Sequence, residues 1–156
     1  MPNNSSRSKR LVTSNANSFL ETRYKTSTTT NTAGNYSDIT VSVYLYASYA
    51  ISIGSRTGSM TVNGTKRDTT FHLGTYSGEK LIQRETFRVN HTADGSKTIS
   101  LSFSHNIAVT YAGTYAGTAT TSFNVDLPKI NRTPNTPTLS AQNITRSSFG
   151  INWSTN

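Results

Sequence analysis

A strict two-residue alternation of polarity constrains the fold of this chain more than any other feature. In the segment 39–46, ITVSVYLY, aliphatic side chains occupy the odd positions and hydroxyl-bearing side chains occupy the even positions. Because neighbouring side chains of a β-strand point to opposite faces, this pattern predicts a strand with one buried aliphatic face. The same alternation returns in 99–103, ISLSF, and in 121–127, TSFNVDL. The repeated period of two predicts an all-β fold.

Turn-forming residues separate these alternating segments. Asn63-Gly64 predicts a two-residue hairpin turn, because both residues tolerate positive φ, and Asp94-Gly95 predicts another turn. The sequence Tyr-Ala-Gly-Thr occurs twice within 111–118 and predicts a strand bent at its glycines. This spacing indicates about eight short strands, and no segment shows a helical period. The expected fold is an antiparallel β-sandwich of the jelly-roll or immunoglobulin-like kind.

The placement of charged, apolar and turn-forming residues divides the chain into four parts. Residues 1–12 are Asn- and Ser-rich and then basic, and they predict an N-terminal arm. This arm is either an untethered tail or a docking arm that orders against a neighbouring subunit. We assign residues 13–130 to the β-sandwich domain and predict a Pro-rich linker over 131–137. Residues 138–156 carry apolar positions for the first strands of a second, truncated β-domain.

The charge balance of the chain is basic. Its 15 Lys and Arg residues outnumber 7 Asp and Glu residues, for a formal net charge of +8. Such an excess attracts polyanions at long range, among them nucleic acid, teichoic-acid-like cell-wall polymers and acidic protein surfaces. The lack of cysteine excludes a disulfide framework and a thiolate metal site. No signal peptide or membrane-spanning apolar segment is recognisable, so we expect synthesis in a bacterial cytoplasm and no membrane partner.

Carboxylates and histidines show no pattern of a catalytic or metal site. The acidic residues fall mostly in predicted turns, where Asp makes local backbone hydrogen bonds, and no two have the facing placement that glycoside hydrolysis requires. His72, His91 and His105 lack the spacing of a zinc site, and no Gly-x-Ser-x-Gly motif is present. We therefore expect a protein that is not an enzyme and that binds no cofactor and no metal.

The candidate binding residues are aromatic and basic side chains on or near predicted strands. Exposed tyrosines can stack on sugar rings or pack into a partner subunit, although they could instead cover a second buried face of the sandwich. Two arginines four residues apart fall on one face of a strand, where they form part of a basic binding surface or are simply solvated. The candidate subunit or glycan contacts are Tyr44, Tyr46, Tyr49, Tyr111, Tyr115, Arg84 and Arg88.

The end of the chain resembles the opening of a fibronectin type III domain. Such domains begin with a proline, a first strand, a Ser/Thr-rich turn and a second strand that ends in a tryptophan. The residues that match this opening are Pro137, Leu139, Ile144, Phe149, Ile151 and Trp153. The resemblance implies a natural protein that continues past Asn156.

The main part of the chain, roughly residues 40–132, resembles a recurrent segment in minor structural tail proteins of long-tailed phages of Gram-positive bacteria. Those segments combine a Gly-containing hairpin, a His-x-Ala-Asp-Gly-Ser/Thr-Lys turn, an alternating Ser strand, a Tyr-x-Gly-Thr stretch and a closing Leu-Pro-x-Ile-x-Arg. The matching segments here are 60–73, 91–97, 99–103, 111–118 and 127–132. The resemblance implies a virion tail or tail-fibre component that projects toward the host surface, often in several copies, and it implies no catalytic residue.

Three functional hypotheses follow from these observations. The first is a virion structural protein of a phage tail or tail fibre, which acts in assembly and host attachment with other tail proteins and further copies of itself. The second is a carbohydrate-binding module of a cell-wall-targeting protein, whose ligand is wall polysaccharide or teichoic acid. The third is a nucleic-acid binder of the β-barrel type, for which Arg84, Arg88 and nearby tyrosines could mimic a basic groove with interleaved aromatic residues. It is the least favoured, because a solvated sheet face is the default for such cations.

Overall fold

The fold, in a computed structural model, is an eight-stranded sandwich followed by a short two-stranded sheet. The structure describes residues 3–15, 17–132, 138–142 and 150–154, and within these ranges it contains strands and turns but no helix. The strands of the sandwich are β1 (Asn3–Asn15), β2 (Ser18–Asn31), β3 (Tyr36–Ile53), β4 (Arg56–Val62), β5 (Thr65–Phe71), β6 (Gly74–Asn90), β7 (Thr98–Tyr111) and β8 (Thr114–Asp126). The prediction of an all-β sandwich is confirmed.

The chain distributes its strands over two antiparallel sheets of four. The first sheet has the order β1-β2-β3-β6, and the second sheet has the order β5-β4-β7-β8. β1, β2 and β3 form a meander, the β4–β5 hairpin lies in the second sheet, and β6 returns to pair with β3. β4 also pairs with β7, and this non-local pairing joins the β4–β5 and β7–β8 hairpins into the second sheet.

The core consists of the inward-facing residues of both sheets. Along β3 the odd-numbered aliphatic residues 39–45 are buried, as the alternation predicts. Tyr24 of the first sheet contacts Phe103 and Phe123 of the second, with ring centroids 4.6 Å and 6.0 Å away. Burial of a large apolar side chain contributes roughly 1.5–3 kcal/mol, so this layer accounts for much of the stability.

The strands are longer than the short segments that the sequence predicts. β3 has 18 residues and β6 has 17. Their pairing shifts register after Val43 and again after Ala47, so that the two strands bend without ending. Segments that the polarity pattern alone predicts as separate short strands are therefore parts of one long strand with irregular pairing.

Two tight turns show how the glycines are used. Asn63 and Gly64 have φ values of 48° and 83°, which forms the β4–β5 hairpin as predicted. Ala112 and Gly113 have φ values of 48° and 78° and form the β7–β8 hairpin, so Gly113 is a turn residue and not a bend within a strand. Gly117 does lie within β8, as expected, where it faces the ring of Tyr115.

The N-terminal segment corrects the prediction of an arm over residues 1–12. Residues 3–15 form β1 and pair with β2 from Asn3 opposite Thr28 to Asn15 opposite Ser18. Val12 is buried in the core, and the guanidinium of Arg7 lies 4.6 Å from the ring centroid of Phe123 in β8. The sandwich therefore begins at residue 3 and not at residue 13, because the polar side chains of this segment follow the exposed edge of the first sheet.

The turn after β6 packs against the segment that leaves β8. His91 donates from Nδ1 to the carbonyl of Gly95, and its Nε2 accepts from the hydroxyl of Ser37 in β3. Gly95 has a φ of 80°, and an added Cβ would collide with the carbonyl of Ile130. Asp94 accepts hydrogen bonds from Thr92 and Ser96, which lower its carboxyl pKa far below its usual range. The 91–97 and 127–130 segments thus form one structural clip.

The end of the chain forms a separate two-stranded antiparallel sheet. It consists of β9 (Thr138–Gln142) and β10 (Gly150–Ser154), with Thr138 paired to Ser154. Most of the predicted linker, 133–137, and the segments 143–149 and 155–156 lie outside the described residues. The fibronectin type III resemblance of this part remains a prediction.

Candidate functional site

The outer face of the first sheet carries most of the predicted binding residues. Cross-strand pairing aligns its outward side chains in rows that run from β1 through β2 and β3 to β6. The rows are Arg10–Glu21–Tyr46–Glu79, Ser8–Arg23–Tyr44–Leu81, Ser6–Lys25–Ser42–Arg84 and Asn4–Ser27–Thr40–Thr86. We call this surface the cation–aromatic face.

The first rows bring cations onto aromatic rings. The guanidinium of Arg23 lies 3.8 Å from the ring centroid of Tyr46, which also stacks on Phe19 at 5.4 Å. The guanidinium of Arg10 covers Phe19 at 3.4 Å. A cation over an aromatic ring contributes roughly 0.5–1 kcal/mol at exposed sites. Tyr46 is therefore part of a stack of cations and rings rather than an open platform.

Two carboxylates hold these cations in place. Glu21, which is buried, accepts from Nε of Arg10 at 2.9 Å and from Nε of Arg23 at 2.7 Å. Glu79 accepts from Arg23 at 3.2 Å and from Lys25 at 2.5 Å. Burial disfavours ionisation of Glu79, but its hydrogen bonds to Lys25 and Arg23 and their charges outweigh burial and lower its pKa. The network fixes long side chains that would otherwise move freely.

The third row places Arg84 beside two hydroxyl groups. Its Nε donates to Oγ of Ser42 and its Nη2 donates to the hydroxyl of Tyr44, both at 3.0 Å. The ammonium group of Lys25 lies 4.4 Å from the ring centroid of Tyr44. Tyr44 is thus covered by one cation and bonded to another. The structure brings together Tyr44, Tyr46 and Arg84, which the sequence proposed separately.

A second cluster lies farther along the same face. Arg88 makes a two-pronged ion pair with Asp38, at 2.9 Å and 3.0 Å, and its guanidinium lies 4.0 Å from the ring centroid of Tyr36. The hydrogen bonds from Arg88 lower the carboxyl pKa of Asp38. Arg84 and Arg88 share the face, as their spacing predicts, but they belong to different clusters.

The remaining candidate tyrosines lie elsewhere. Tyr111 is buried in the core, where its hydroxyl bonds Ser48 and the backbone N–H of Tyr49. Its ring stacks on that of Tyr49 at 4.2 Å, so Tyr111 is a packing residue and not a surface contact. Tyr49 remains 42% exposed. Tyr115 follows the β7–β8 turn and is 66% exposed, which leaves its ring accessible beside Lys9 and Arg10.

Sequence reasoning missed several members of the cation–aromatic face. Each of these residues contacts residues of another strand, and such contacts are not visible in the sequence of one strand. The signal that could have found them is the presence of cations and aromatic residues on the same predicted face of neighbouring strands. The missed residues are Arg10, Phe19, Glu21, Arg23, Lys25, Tyr36, Asp38 and Glu79.

The outer face of the second sheet has a different chemistry. Ser102 and Ser104 of β7 lie opposite Thr61 and Ser59 of β4, and the outward positions of β8 are also mostly Ser, Thr or Asn. A shallow groove of about 620 Å³ crosses this face, lined by hydroxyls together with Asp68 and Asn106. Its charged side chains are Lys66, Asp68 and Asp126, and Lys66 pairs with Asp68, so this face has little net charge in contrast to the cation–aromatic face.

In the part of the chain that the structure describes, no three His, Asp or Glu side chains come close enough to hold a metal ion. The described ranges also include no helix of the length and apolar character needed to span a membrane.

No protein-family model, no curated protein and no solved structure matches the chain significantly.

Proposed function

We propose that this chain is a virion structural protein of a phage tail or tail fibre, acting in tail assembly and host-surface attachment by non-catalytic binding. The observation that carries the proposal is the cation–aromatic face, a broad exposed surface whose long side chains are already fixed in place. The resemblance of residues 40–132 to phage tail segments supplies the biological context. The partners are other tail proteins, further copies of this chain and host cell-wall polysaccharide or teichoic acid.

Pre-organisation of the face supports binding as its role. Immobilising a flexible side chain on association costs about 0.5–1.5 kcal/mol. Arg23 and Lys25 are already held by Glu79, and Arg88 is held by Asp38, so a partner meets side chains that need little further ordering. A fixed array of cations and rings suits repeated attachment to a charged or hydroxylated surface.

The state of the carboxylates supports a non-catalytic role. Within the described ranges, Glu21, Glu79, Asp38 and Asp68 are in ion pairs. Asp94 closes the 91–97 turn and Asp126 accepts from Thr98, which leaves Glu85 without a recorded partner. Structural use of the acidic groups fits an adhesion module better than acid–base chemistry.

The test is whether the chain is part of the particle. We expect a tagged copy, encoded in place in the phage or prophage genome, to purify with intact virions and to concentrate in detached tails, as measured by mass spectrometry. A tagged non-structural protein from the same genome is the control and should remain in the lysate. Presence of the chain in the lysate but not in purified particles would contradict the proposal.

One observation favours a carbohydrate-binding module as a second candidate. The ring of Tyr115 is 66% exposed, with one ring carbon close to Gly117, and an exposed aromatic ring is suited to stacking on a sugar. We expect Tyr115→Ala to weaken binding to phosphate-free wall polysaccharide by about 2- to 10-fold, measured by affinity electrophoresis. Tyr115→Phe, which keeps the ring, should bind normally. Equal binding by Tyr115→Ala and the wild type would remove this candidate.

A further inference from the structure

A shallow groove of small polar residues crosses the cation–aromatic face. It has a volume of about 280 Å³, and its outward-facing lining is Asn4 and Ser6 of β1, Ser27 of β2 and Ser42 of β3, with Lys25 at its rim. The cluster around Tyr44 borders it on one side, and the Asp38–Arg88 pair lies beyond it on the other. Tyr44 and Asp38 are six residues apart on β3, which corresponds to about 20 Å. We call this feature the hydroxyl groove.

Arg84 differs from the other cations of the face. Within the described residues, Arg10, Arg23, Lys25 and Arg88 each have a carboxylate within ion-pair distance. Among the described residues, the hydrogen bonds of Arg84 go only to the hydroxyls of Ser42 and Tyr44. Ser42 lines the groove, so the guanidinium stands at the edge of the groove with its positive charge uncompensated by a nearby anion.

The hydrogen bonds around Arg84 leave several donors for an anion. The oxygens of Ser42, which lines the groove although it is only 6% exposed, and of Tyr44 accept from Arg84, so neither hydroxyl hydrogen is used in these bonds. The Nη1 group of Arg84 has no hydrogen-bond partner among the described residues. One phosphate could accept from the guanidinium and from both hydroxyls, and charge-assisted bonds of this kind are stronger than neutral ones.

We propose that the hydroxyl groove binds a polyol chain that carries phosphodiester groups, with one phosphate held by Arg84, Ser42 and Tyr44. The hydroxyls of the polyol are bonded by the Ser and Asn side chains that line the groove. This inference rests on the proposed function, because attachment to a host wall brings such a polymer to the face. It names the class of ligand and the residues that recognise it.

Nucleic acid carries the same phosphodiester group but fits the groove less well. Single-stranded nucleic acid is bound mainly by stacking of bases on accessible aromatic rings along a basic channel. Here Lys25 lies over one face of the Tyr44 ring, and the Tyr46 ring contacts Arg23 and Phe19, so ring surface beside the groove is already occupied by other side chains. The groove lining offers hydroxyl and amide groups, which match a polyol.

The test is a calorimetric titration of the full chain with a synthetic six-unit glycerol phosphate oligomer. We expect binding by the wild type and a loss of about tenfold or more for Arg84→Gln, because a charged hydrogen-bonding group is removed. Ser27→Glu, which adds a carboxylate at an exposed groove position, should also weaken binding. This second variant tests the proposal independently if Arg84→Gln does not fold. Arg132→Gln removes one exposed cation past the last strand of the sandwich and should bind as the wild type does.

Matched ligands decide the class of polymer. Neutral polyglycerol of equal length and a six-nucleotide single-stranded DNA should each bind at least about tenfold more weakly than the oligomer. Equal affinity for either ligand would overturn the proposal, as would wild-type affinity in both folded groove variants. Sedimentation with isolated host walls separates failure of this inference from failure of the proposed function. A chain that binds walls but not the glycerol phosphate oligomer contradicts this inference and leaves the proposed function intact. Virion mass spectrometry tests the proposed function independently.

Discussion

At the scale of single residues, the most unusual side chain is His105. It is completely buried between the sheets, where Nε2 donates to Oε1 of Gln83 at 2.9 Å and Nδ1 has no partner among the described residues. The amide of Gln83 in turn donates to the backbone carbonyl of Arg67. Gly58 lies directly against the imidazole and leaves no room for a side chain. A neutral histidine thus links β6 and β7 through the core.

This burial predicts a pH-dependent stability. Desolvation lowers the pKa of His105 from 6.5 to about 4. Because the unfolded chain binds the proton more readily, the contribution is fully present above pH 6.5 and is lost as the pH falls toward 4. The effect amounts to roughly 3 kcal/mol, at about 1.4 kcal/mol for each pKa unit. Urea unfolding of the wild type at several pH values should show this loss.

The control for this prediction is His105→Leu. The variant lacks the titrating group, so its free energy of unfolding should fall less steeply between pH 6.5 and 4, whatever its absolute stability. The lowered pKa values of Asp38 and Glu79 act at lower pH, since their contribution is present above the ordinary carboxyl pKa and disappears below it. Parallel curves for the wild type and the variant would assign the pH dependence to other groups.

At the scale of elements, β1 decides whether the first sheet is complete. It adds a fourth strand along β2 from Ser18 to Thr28 and supplies Ser6, Ser8 and Arg10 to the outer face. Its inward cations reach the second sheet, where Lys9 donates to the carbonyl of Thr120 and Arg7 covers Phe123. Charged residues on an edge strand also oppose pairing with other chains.

Removal of residues 1–12 should therefore destabilise the sandwich and expose the edge of β2. Deletion of β1 uncovers the edge of β2 and removes buried Val12, so we expect a lower unfolding temperature and concentration-dependent aggregation. Differential scanning calorimetry and light scattering measure the two effects. Arg7→Gln, which keeps the strand and removes one charge, should keep most of the stability. A truncated chain that is as stable and monodisperse as the control would restore the interpretation of this segment as an arm.

The bulge in β6 also determines which side chains reach the outer face. The register moves from Val43 opposite Gln83 to Tyr44 opposite Leu81, which leaves Ile82 as the extra residue. Ile82 and Gln83 are both buried although they are neighbours in sequence. Because of this shift, the odd-numbered Glu79 and Leu81 face the same outer side of the sheet as the even-numbered Arg84.

At the scale of the whole molecule, the sandwich presents two outer faces of different character. One carries fixed cations, rings and the hydroxyl groove, and the other is an almost neutral surface of Ser and Thr. The formal charge of +8 belongs to the entire chain, and long-range attraction depends on it. Specific recognition, by contrast, depends on where a charge is placed and on what holds it.

A charge-neutral pair of substitutions separates these two effects. The double variant R84Q/S102R moves one positive charge from the cation–aromatic face to the exposed face of the second sheet and keeps the net charge. We expect it to bind the glycerol phosphate oligomer as weakly as R84Q, because the new guanidinium lacks the hydroxyl partners of Arg84. Calorimetry at constant ionic strength gives the comparison. Recovery of wild-type affinity would show that the net positive charge of the chain is sufficient for binding, wherever the charge lies.

The sequence by itself determined the class of fold and, in its clearly alternating segments, the side of the strand on which a residue lies. Alternation along β3 and β7 and the Asn63-Gly64 turn predicted strands, faces and a hairpin that the structure contains, because the two-residue period and turn conformations are local properties of the backbone. Tyr44, Tyr46, Arg84 and Arg88 were placed on polar faces for the same reason.

Only the tertiary structure decided which of these residues meet. Pairing of β1 with β2, the return of β6 to β3 and the bulge at Ile82 join residues that are far apart in sequence, so no local pattern encodes the rows of the cation–aromatic face. The same non-local packing made a strand of the predicted arm and buried Tyr111, which sequence alone could not distinguish from an exposed tyrosine. Register between distant strands depends on the sum of many weak side-chain contacts, and that sum exists only in the folded chain.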